Sequence, residues 1–337
     1  VKVAVLGAGA IGGVIAAWMA RAGHEVSVTA RGDHLKAICR DGLTLDDRIA
    51  GTQSSYRVSA AVSATDWPEQ DLVVLGVKAP ALEQIADQLA PLLGPETMVL
   101  PALNGVPWWY FQRAGGRFDG ARIQCLDPRG ILEACIPADR LIGCVVHVAG
   151  EVVAPGVVAQ TAHRKLVLGE IDHRPSARLE HLATTLRAAG FEIVSDMPIR
   201  KALWIKLIGN LGFNPLAALT GLRMDEMLDD PELVRVARAL IDESNALAAA
   251  LGIDTQVSTQ ARIDMARSIG RARLSTLQDF EKGRRPELEG LLGAVLEIAG
   301  WLDRRLPTVE MITALTTARA RHLGLIPDGD RYTAAQL

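Results

Sequence analysis

Apolar and polar positions along the chain fall into two textures. Up to about residue 190, short β-rich runs alternate with helical spacing. "KVAVL" and "HEVSVTA" read as strands on either side of a helix from about Ile11 to Arg21. "DLVVLGV" and "TMVLPALN" read as later strands, with "APALEQIADQLAPLL" as the helix between them. Such alternation predicts a parallel sheet covered by helices. "GCVVHVAGEVVAPGVVAQTAHRKLVLGE" predicts two or three more strands turning at Pro155 and Gly156, added antiparallel to the sheet edge. From about Met197 the strand pattern stops. Leu233, Val236, Ala237, Leu240, Ile241, Leu247 and Leu251 fall at helical spacing, and "ELEGLLGAVLEIAGWL" and "TVEMITALTTARARHL" continue in that manner. The expected class is α/β: a nucleotide-binding type of domain over 1–195, an all-α domain over 196–325, and a patternless, fraying tail over 326–337.

The first turn carries chemistry. "GAGAIGG", residues 7 to 13, follows a strand and opens a helix. Gly7 permits the tight turn, Gly9 lets backbone approach a pyrophosphate, and Gly12 lets the helix pack close to the strand. The helix start, with Ala10 and Ile11, then offers unbonded N–H groups and a partial positive charge to phosphates. This predicts a Rossmann dinucleotide site. An NAD site places Asp or Glu at the end of the second strand, to hold the ribose. Here Thr29, Ala30, Arg31 and Gly32 stand there, and Arg31 is suited to a 2′-phosphate. That favours NADP, although Asp33 just beyond speaks for NAD.

A second pattern lies in "KLIGNLGFN", residues 206 to 214. Its apolar neighbours read as a buried helix, yet Lys206, Asn210 and Asn214 recur every four residues and share one face. Three polar groups on one face are costly in a dry core. They make sense lining a cleft, with Lys206 donating a proton and the asparagines holding oxygens. The plainer alternative is a polar seam bonded to the other domain. "LNGV" ends a strand on the edge where cofactors lie, so Asn104 is placed to meet nicotinamide or substrate. "STLQDFEKGRRPELEG" offers Ser275 and Glu287, and a carboxylate near Lys206 would keep it protonated and positioned.

Composition narrows the classes. The 337 residues are 49% hydrophobic and 22% charged, with a net charge of −3, so nothing points to nucleic acid or a membrane surface. Cys39, Cys125, Cys135 and Cys144 show no CxxC pairing and read as reduced thiols. No histidine set has metal-ligand spacing, and no metal site is expected. Residues 3–20 are apolar, but glycines interrupt them and only Lys2 precedes them, which argues against a targeting segment. No other run is expected to span a bilayer. The expected location is cytoplasmic.

Taken together and in order, "GAGAIGG", "ARGDH", "GVKA", "LNGV", "WIKLIGNLGFNPL" and "STLQDFEKGRRPELEG" make the chain resemble the ketopantoate reductase (2-dehydropantoate 2-reductase) family. The resemblance implies a Rossmann domain, a helical second domain and an active site in the cleft between them. It implies that NADPH reduces a 2-oxo acid to a 2-hydroxy acid. By motif, Lys206 would be the general acid, and Glu287 would act on the substrate hydroxyl or the lysine. Asn210, Asn214 and Ser275 would bind substrate, and Lys78 and Asn104 would sit by the cofactor. Expected partners are a small 2-oxo acid and, in a homodimer, a second copy of the chain.

Departures from the family bear on the substrate. Ala272 and Met224 stand where members often have asparagine, and "ELEGLLG" places Leu292 where asparagine is usual. "PWWYFQRAGGRFDG" is bulky where shorter sequences are common, with Trp108 and Trp109 expected to pack rather than to cage substrate. A 2-oxo acid larger or more apolar than ketopantoate is therefore expected. Two other readings compete: a dehydrogenase of a 3-hydroxy acid or sugar phosphate on the same architecture, and a non-catalytic NADP sensor. A phosphate substrate would want clustered cations, for which "GRR" at 283–285 is the candidate.

Overall fold

The run from Val3 to Leu6 is buried on both faces, as the middle strand of a parallel sheet must be. The computed structural model describes residues 1–330 and Tyr332. The described chain forms two compact units. The first comprises Val1–Leu103, Pro107–Arg122 and Arg129–Ile199; the second takes Asn104–Val106, Ile123–Pro128 and the chain from Arg200 on.

The strands of the first unit are β1 (Lys2–Leu6), β2 (Glu25–Thr29), β3 (Leu43–Asp47), β4 (Thr52–Tyr56), β5 (Ser59–Ala61), β6 (Gln70–Leu75), β7 (Leu93–Pro101), β8 (Ile142–Ala154), β9 (Val157–Glu170) and β10 (Glu192–Val194). Its helices are α1 (Ala10–Arg21), α2 (Gly32–Asp41), α3 (Ile131–Cys135) and α4 (Ala177–Ala188). Five strands form a parallel sheet in the order β5-β2-β1-β6-β7. The chain winds outward from β1 in both directions, so the strand order reverses between β1 and β6. Ligands of open α/β sheets bind at the carboxyl ends of the strands at such a point.

Two expectations fail here. The β8–β9 hairpin does turn at Pro155 and Gly156, but it does not extend the parallel sheet. It belongs to a second sheet, β10-β9-β3-β4, with β8 paired antiparallel to β9. The reason lies in α1, which buries Gly12 through Met19 and so needs cover on more than one side. Gly13 packs against Val158 of β9 and Gly150 of β8 against Val14, placing the helix between the two sheets. The stretch 79–93 is also not an α-helix. It forms short 3₁₀ turns over Ala79–Ala81, Glu83–Gln88 and Ala90–Leu92. Pro80 and Pro91 lack the N–H groups that a longer ladder needs. The buried positions 82, 85, 88 and 86, 89, 92 repeat every three residues, the 3₁₀ period.

The second unit contains α5 (Ile199–Thr220, whose first residue belongs to the first unit), α6 (Met224–Asp229), α7 (Pro231–Ala250), α8 (Thr259–Ile269), α9 (Ser275–Glu281), α10 (Ala294–Trp301) and α11 (Pro307–His322). Helix α5 has 22 residues and a mean hydropathy of 1.2, so by length and composition it is apolar enough to cross a membrane, contrary to expectation. Its apolar stretch is 78% buried, the property of a core helix. Gly212 lets it approach Ile241 of α7. The run from Glu287 is not regular helix either: Glu289–Gly293 forms a π-helical turn before α10. Gly290 gives its carbonyl to the Val106 N–H, 2.8 Å away, and this tertiary bond coincides with the widened turn. Buried Glu297 accepts the N–H groups of Gln124 and Cys125, which pins 123–128 to α10. Of the expected tail, Ile326 and Tyr332 are buried, while Arg331 and residues 333–337 lie outside the described residues.

Candidate active site

In the first unit the glycine loop leaves β1 with Gly7 at φ +100°, a conformation L side chains rarely adopt. The Gly7 N–H donates to Thr29 Oγ1 at 2.8 Å and the Ala8 N–H to the Thr29 carbonyl, tying the loop to the end of β2. A Cβ on Gly12 would lie 2.1 Å from the Gly7 carbonyl oxygen and 3.2 Å from Gly76 Cα, so helix and strand ends touch through backbone. Around Gly9, by contrast, a Cβ would meet nothing within 4 Å. Gly9 is the N-cap of α1, extended and without a side-chain cap, and the first turn carries no acid. The N–H groups of Ala10 and Ile11 at this start are thus suited to an anion. The loop, open where a pyrophosphate would approach and closed where helix meets strand, fits a dinucleotide.

Arg31 is the N-cap of α2, exposed two residues past β2, and its guanidinium pairs with no carboxylate among the described residues. Asp33 instead pairs with Lys36 at 2.9 Å. Lys78 follows β6 and caps the first 3₁₀ turn, at the carboxyl edge of the sheet. Sequence reasoning missed His34. Its Nδ1 accepts from the Gly156 N–H at 2.9 Å, so the other ring nitrogen, Nε2, carries the proton and donates to the Ala8 carbonyl at 2.8 Å. His34 therefore ties the glycine loop to the β8–β9 turn. Its signals in the sequence are its place three residues past Arg31 and at the end of the "ARGDH" motif.

In the second unit α5 presents the expected stripe. Lys206 Nζ donates to Asn104 Oδ1 at 2.6 Å, and Asn104 Nδ2 lies 3.5 Å from Glu287 Oε2. The Asn104 amide thus reaches the ammonium with its oxygen and the carboxylate with its nitrogen. Asn210, one turn along, is half-buried and has no side-chain hydrogen bond among the described residues. Asn214 is buried and turns Nδ2 toward the Ser275 hydroxyl, 3.5 Å away at the exposed start of α9. Pro215 withholds an N–H from the α5 ladder just beyond Asn214. Two of the positions that depart from the family are neighbours: the Met224 N–H donates to the Ala272 carbonyl at 3.0 Å. Met224 and Leu292 are both buried. Arg284 pairs with Asp279, and Arg285 with Glu289 and Asp330, so the "GRR" cations are engaged by acids. Trp108 and Trp109 are buried, and among the described residues neither indole N–H has a hydrogen-bond partner.

Known proteins resemble the chain along nearly its whole length. The profile of the family Ketopantoate reductase PanE/ApbA matches residues 3–173, and its C-terminal profile matches 198–320. A 2-dehydropantoate 2-reductase of Mesorhizobium japonicum is 40% identical over 96% of this chain and 99% of that one. A crystal structure from Ralstonia solanacearum MolK2, of a protein proposed to be a ketopantoate reductase, is 36% identical. It superposes with a TM-score of 0.91, covering 96% of this chain and 99% of that one. The fold extends to a ternary structure of D-mandelate dehydrogenase with NADH and anilino(oxo)acetate, at 20% identity and a TM-score of 0.82, over 96% of this chain and 100% of that one.

The role of His34 can be measured. Replacing it by leucine leaves the Ala8 carbonyl and Gly156 N–H without their partner, at about 0.5–1.5 kcal/mol per bond. His34→Leu is expected to raise the dissociation constant of the nicotinamide dinucleotide about 3- to 30-fold. Turnover at saturating cofactor should change far less. Unchanged cofactor affinity would show that the loop holds its shape without the histidine.

Proposed function

The chain belongs to the ketopantoate reductase family, and on that premise we propose that it reduces a 2-oxo acid, 2-dehydropantoate or a related acid, to the 2-hydroxy acid with NADPH. The observation that carries this reading is the ammonium of Lys206 held 2.6 Å from Asn104 Oδ1, with Asn104 reaching on to Glu287. A nicotinamide dinucleotide is the family's cofactor, and when bound it supplies the hydride.

The remaining work falls to side chains. As the ketone carbon is reduced, its oxygen gains negative charge and must receive a proton. Lys206 does both tasks, stabilising the charge and acting as general acid. An ammonium donates without accepting, and the bond to Asn104 helps fix where its N–H groups point. The Asn104 amide oxygen accepts from the ammonium and so orients it. Glu287, one amide further, holds Asn104 in its acceptor orientation and contacts the substrate hydroxyl. Asn210, with no side-chain hydrogen bond among the described residues, takes the ketone oxygen beside Lys206. Ser275, backed by buried Asn214, takes the carboxylate.

The choice of NADPH rests on Arg31. The fold does not decide it, since D-mandelate dehydrogenase shares the fold and is seen with NADH. An exposed guanidinium without a carboxylate partner suits a 2′-phosphate, and the acid that would favour NAD is occupied by Lys36. A sugar phosphate is disfavoured as substrate because Arg284 and Arg285 already face carboxylates.

Charge-assisted bonds to a 2′-phosphate contribute roughly 1.5–3 kcal/mol each. Arg31→Ala should therefore weaken NADPH binding about 10- to 100-fold and leave NADH nearly unchanged. Equal loss for both cofactors would remove Arg31 from phosphate recognition.

Lys206→Ala should lower kcat about 10²- to 10⁴-fold, the range of a positioned general acid, with NADPH binding retained. Near wild-type turnover would place the acid elsewhere.

The substrate tail is tested by kcat/KM for ketopantoate beside branched and aromatic 2-oxo acids, measured as NADPH oxidation. With Ala272, Met224 and Leu292 in place of amides, the ketopantoate hydroxyl loses a partner, at about 5- to 150-fold in kcat/KM. An acid with an apolar tail should therefore be preferred, and Ala272→Asn should shift the preference toward ketopantoate. Ketopantoate turnover above every other acid would leave the plain family substrate standing, and oxidation with none of them would end the reductase reading.

A further inference from the structure

One cation of the second unit is not used by the mechanism above. Arg262, in the first turns of α8, lays its guanidinium on Gly209 of α5. A Cβ on Gly209 would lie 1.5 Å from Nη2, 2.1 Å from Cζ and 2.3 Å from Nε. Glycine at 209 thus makes the seat, and any other residue would push the guanidinium off it. The group has no counterion: among the described residues it forms no ion pair. Its Nε is buried without a partner, and Nη1 reaches only the Met265 sulfur at 3.8 Å. Burial lowers its pKa from the ordinary arginine value, which marks a charge whose lost hydration is not made up by a partner.

The location of the seat gives this unpaired charge a meaning. Gly209 directly precedes Asn210 and lies three residues past Lys206. Residues three apart on a helix are surface neighbours, roughly 5–6 Å between Cβ atoms. Round the helix Gly209 lies roughly 60° from Lys206 and roughly 100° from Asn210, so the guanidinium rests at the Lys206 edge of the polar stripe. We propose that Arg262, seated on Gly209, is an anion-recognition residue that binds the carboxylate of the 2-oxo acid. The inference rests on the reductase reading and adds to it a determinant of the acid group. A guanidinium offers five donors in a planar fork that matches a carboxylate through two parallel bonds, which a serine hydroxyl alone does not supply. The competing role is packing, with the arginine stem filling the space above a glycine.

Three variants separate the two roles. Arg262→Met keeps an apolar stem and removes the fork. Gly209→Ala keeps the arginine in the chain and displaces its flexible end, while alanine favours a helix over glycine, so folding is not put at risk. Arg262→Lys keeps the charge and loses the fork. The readout is the ratio of kcat/KM for a 2-oxo acid to kcat/KM for its methyl ester. The expected result is a fall in this ratio of about 10- to 100-fold in both Arg262→Met and Gly209→Ala, carried by KM for the acid, with a smaller fall in Arg262→Lys. An unchanged ratio in Arg262→Met, or equal losses for acid and ester, overturns the proposal. If the unmodified protein reduces no 2-oxo acid, the reductase reading fails on its own, and calorimetric titration with oxalate then decides the seat. Weaker oxalate binding by Arg262→Met than by the unmodified protein supports it, and equal binding or none by either protein overturns it.

Discussion

Gly105 and Gly290 meet backbone to backbone, and the chemistry proposed for the second unit depends on that contact. A Cβ on Gly105 would lie 2.5 Å from the Gly290 carbonyl carbon, and Gly105 sits at φ +81°, so both space and conformation require glycine. The contact sets Asn104, on one side, within reach of Glu287, on the other. It is secured by the Val106 N–H bonded to the Gly290 carbonyl. The π-helical turn that begins at Glu289 is the form the chain takes there, and buried polar groups fix it in turn. Glu289 accepts from Arg285 and from the Tyr332 hydroxyl, and Glu297 holds the backbone of 124 and 125. Between these carboxylates the Cys125 thiol is pushed well above its ordinary pKa by burial and by Glu297, which makes it an inert packing group. A lysine on α5 thereby finds an amide that its own helix does not supply.

The first unit solves a different problem with the same residue type. Gly12 and Gly76 let strand ends and helix touch, Gly13 and Gly150 let α1 lie between two sheets, and Gly7 turns the chain. Of the glycines at 7, 9, 12 and 13, it is Gly9 that faces open space, and that is where a ligand's phosphates would meet the start of α1. Close packing and ligand access are thus divided among glycines a few residues apart. His34 and Thr29 then hold the loop in one shape from the β2 side.

What the sequence made legible follows from how local each feature is. The α5 stripe was readable because a helix brings every fourth residue to one face, and the glycine turn because its tasks are set within seven residues. The relay partner of Lys206 was not, since Asn104 stands 102 residues away and no local pattern says whether its amide faces the lysine or a ligand. His34 was missed for the same reason: its partner Gly156 is 122 residues distant. Strand periodicity announced the β8–β9 hairpin, but alternation carries no information about which sheet a hairpin joins; the all-round apolar surface of α1 was the overlooked clue. In 79–93 an apolar helical pattern outweighed two prolines that should have counted against it. Arg262 escaped notice because a lone arginine on a polar helix reads as solvated, and only the absent side chain at Gly209 shows where it lies.

In the proposed mechanism Lys206 and Asn104 act as one proton-delivering unit. A double-mutant cycle on the single-turnover rate, with Lys206→Ala, Asn104→Ala and both together at saturating NADPH and 2-oxo acid, addresses it directly. If Asn104 works by orienting the Lys206 ammonium, its removal costs little once the lysine is gone, so the double variant should be no more than about 3-fold slower than Lys206→Ala alone. Losses that multiply across the two sites would mean that the residues act independently, and would contradict the relay.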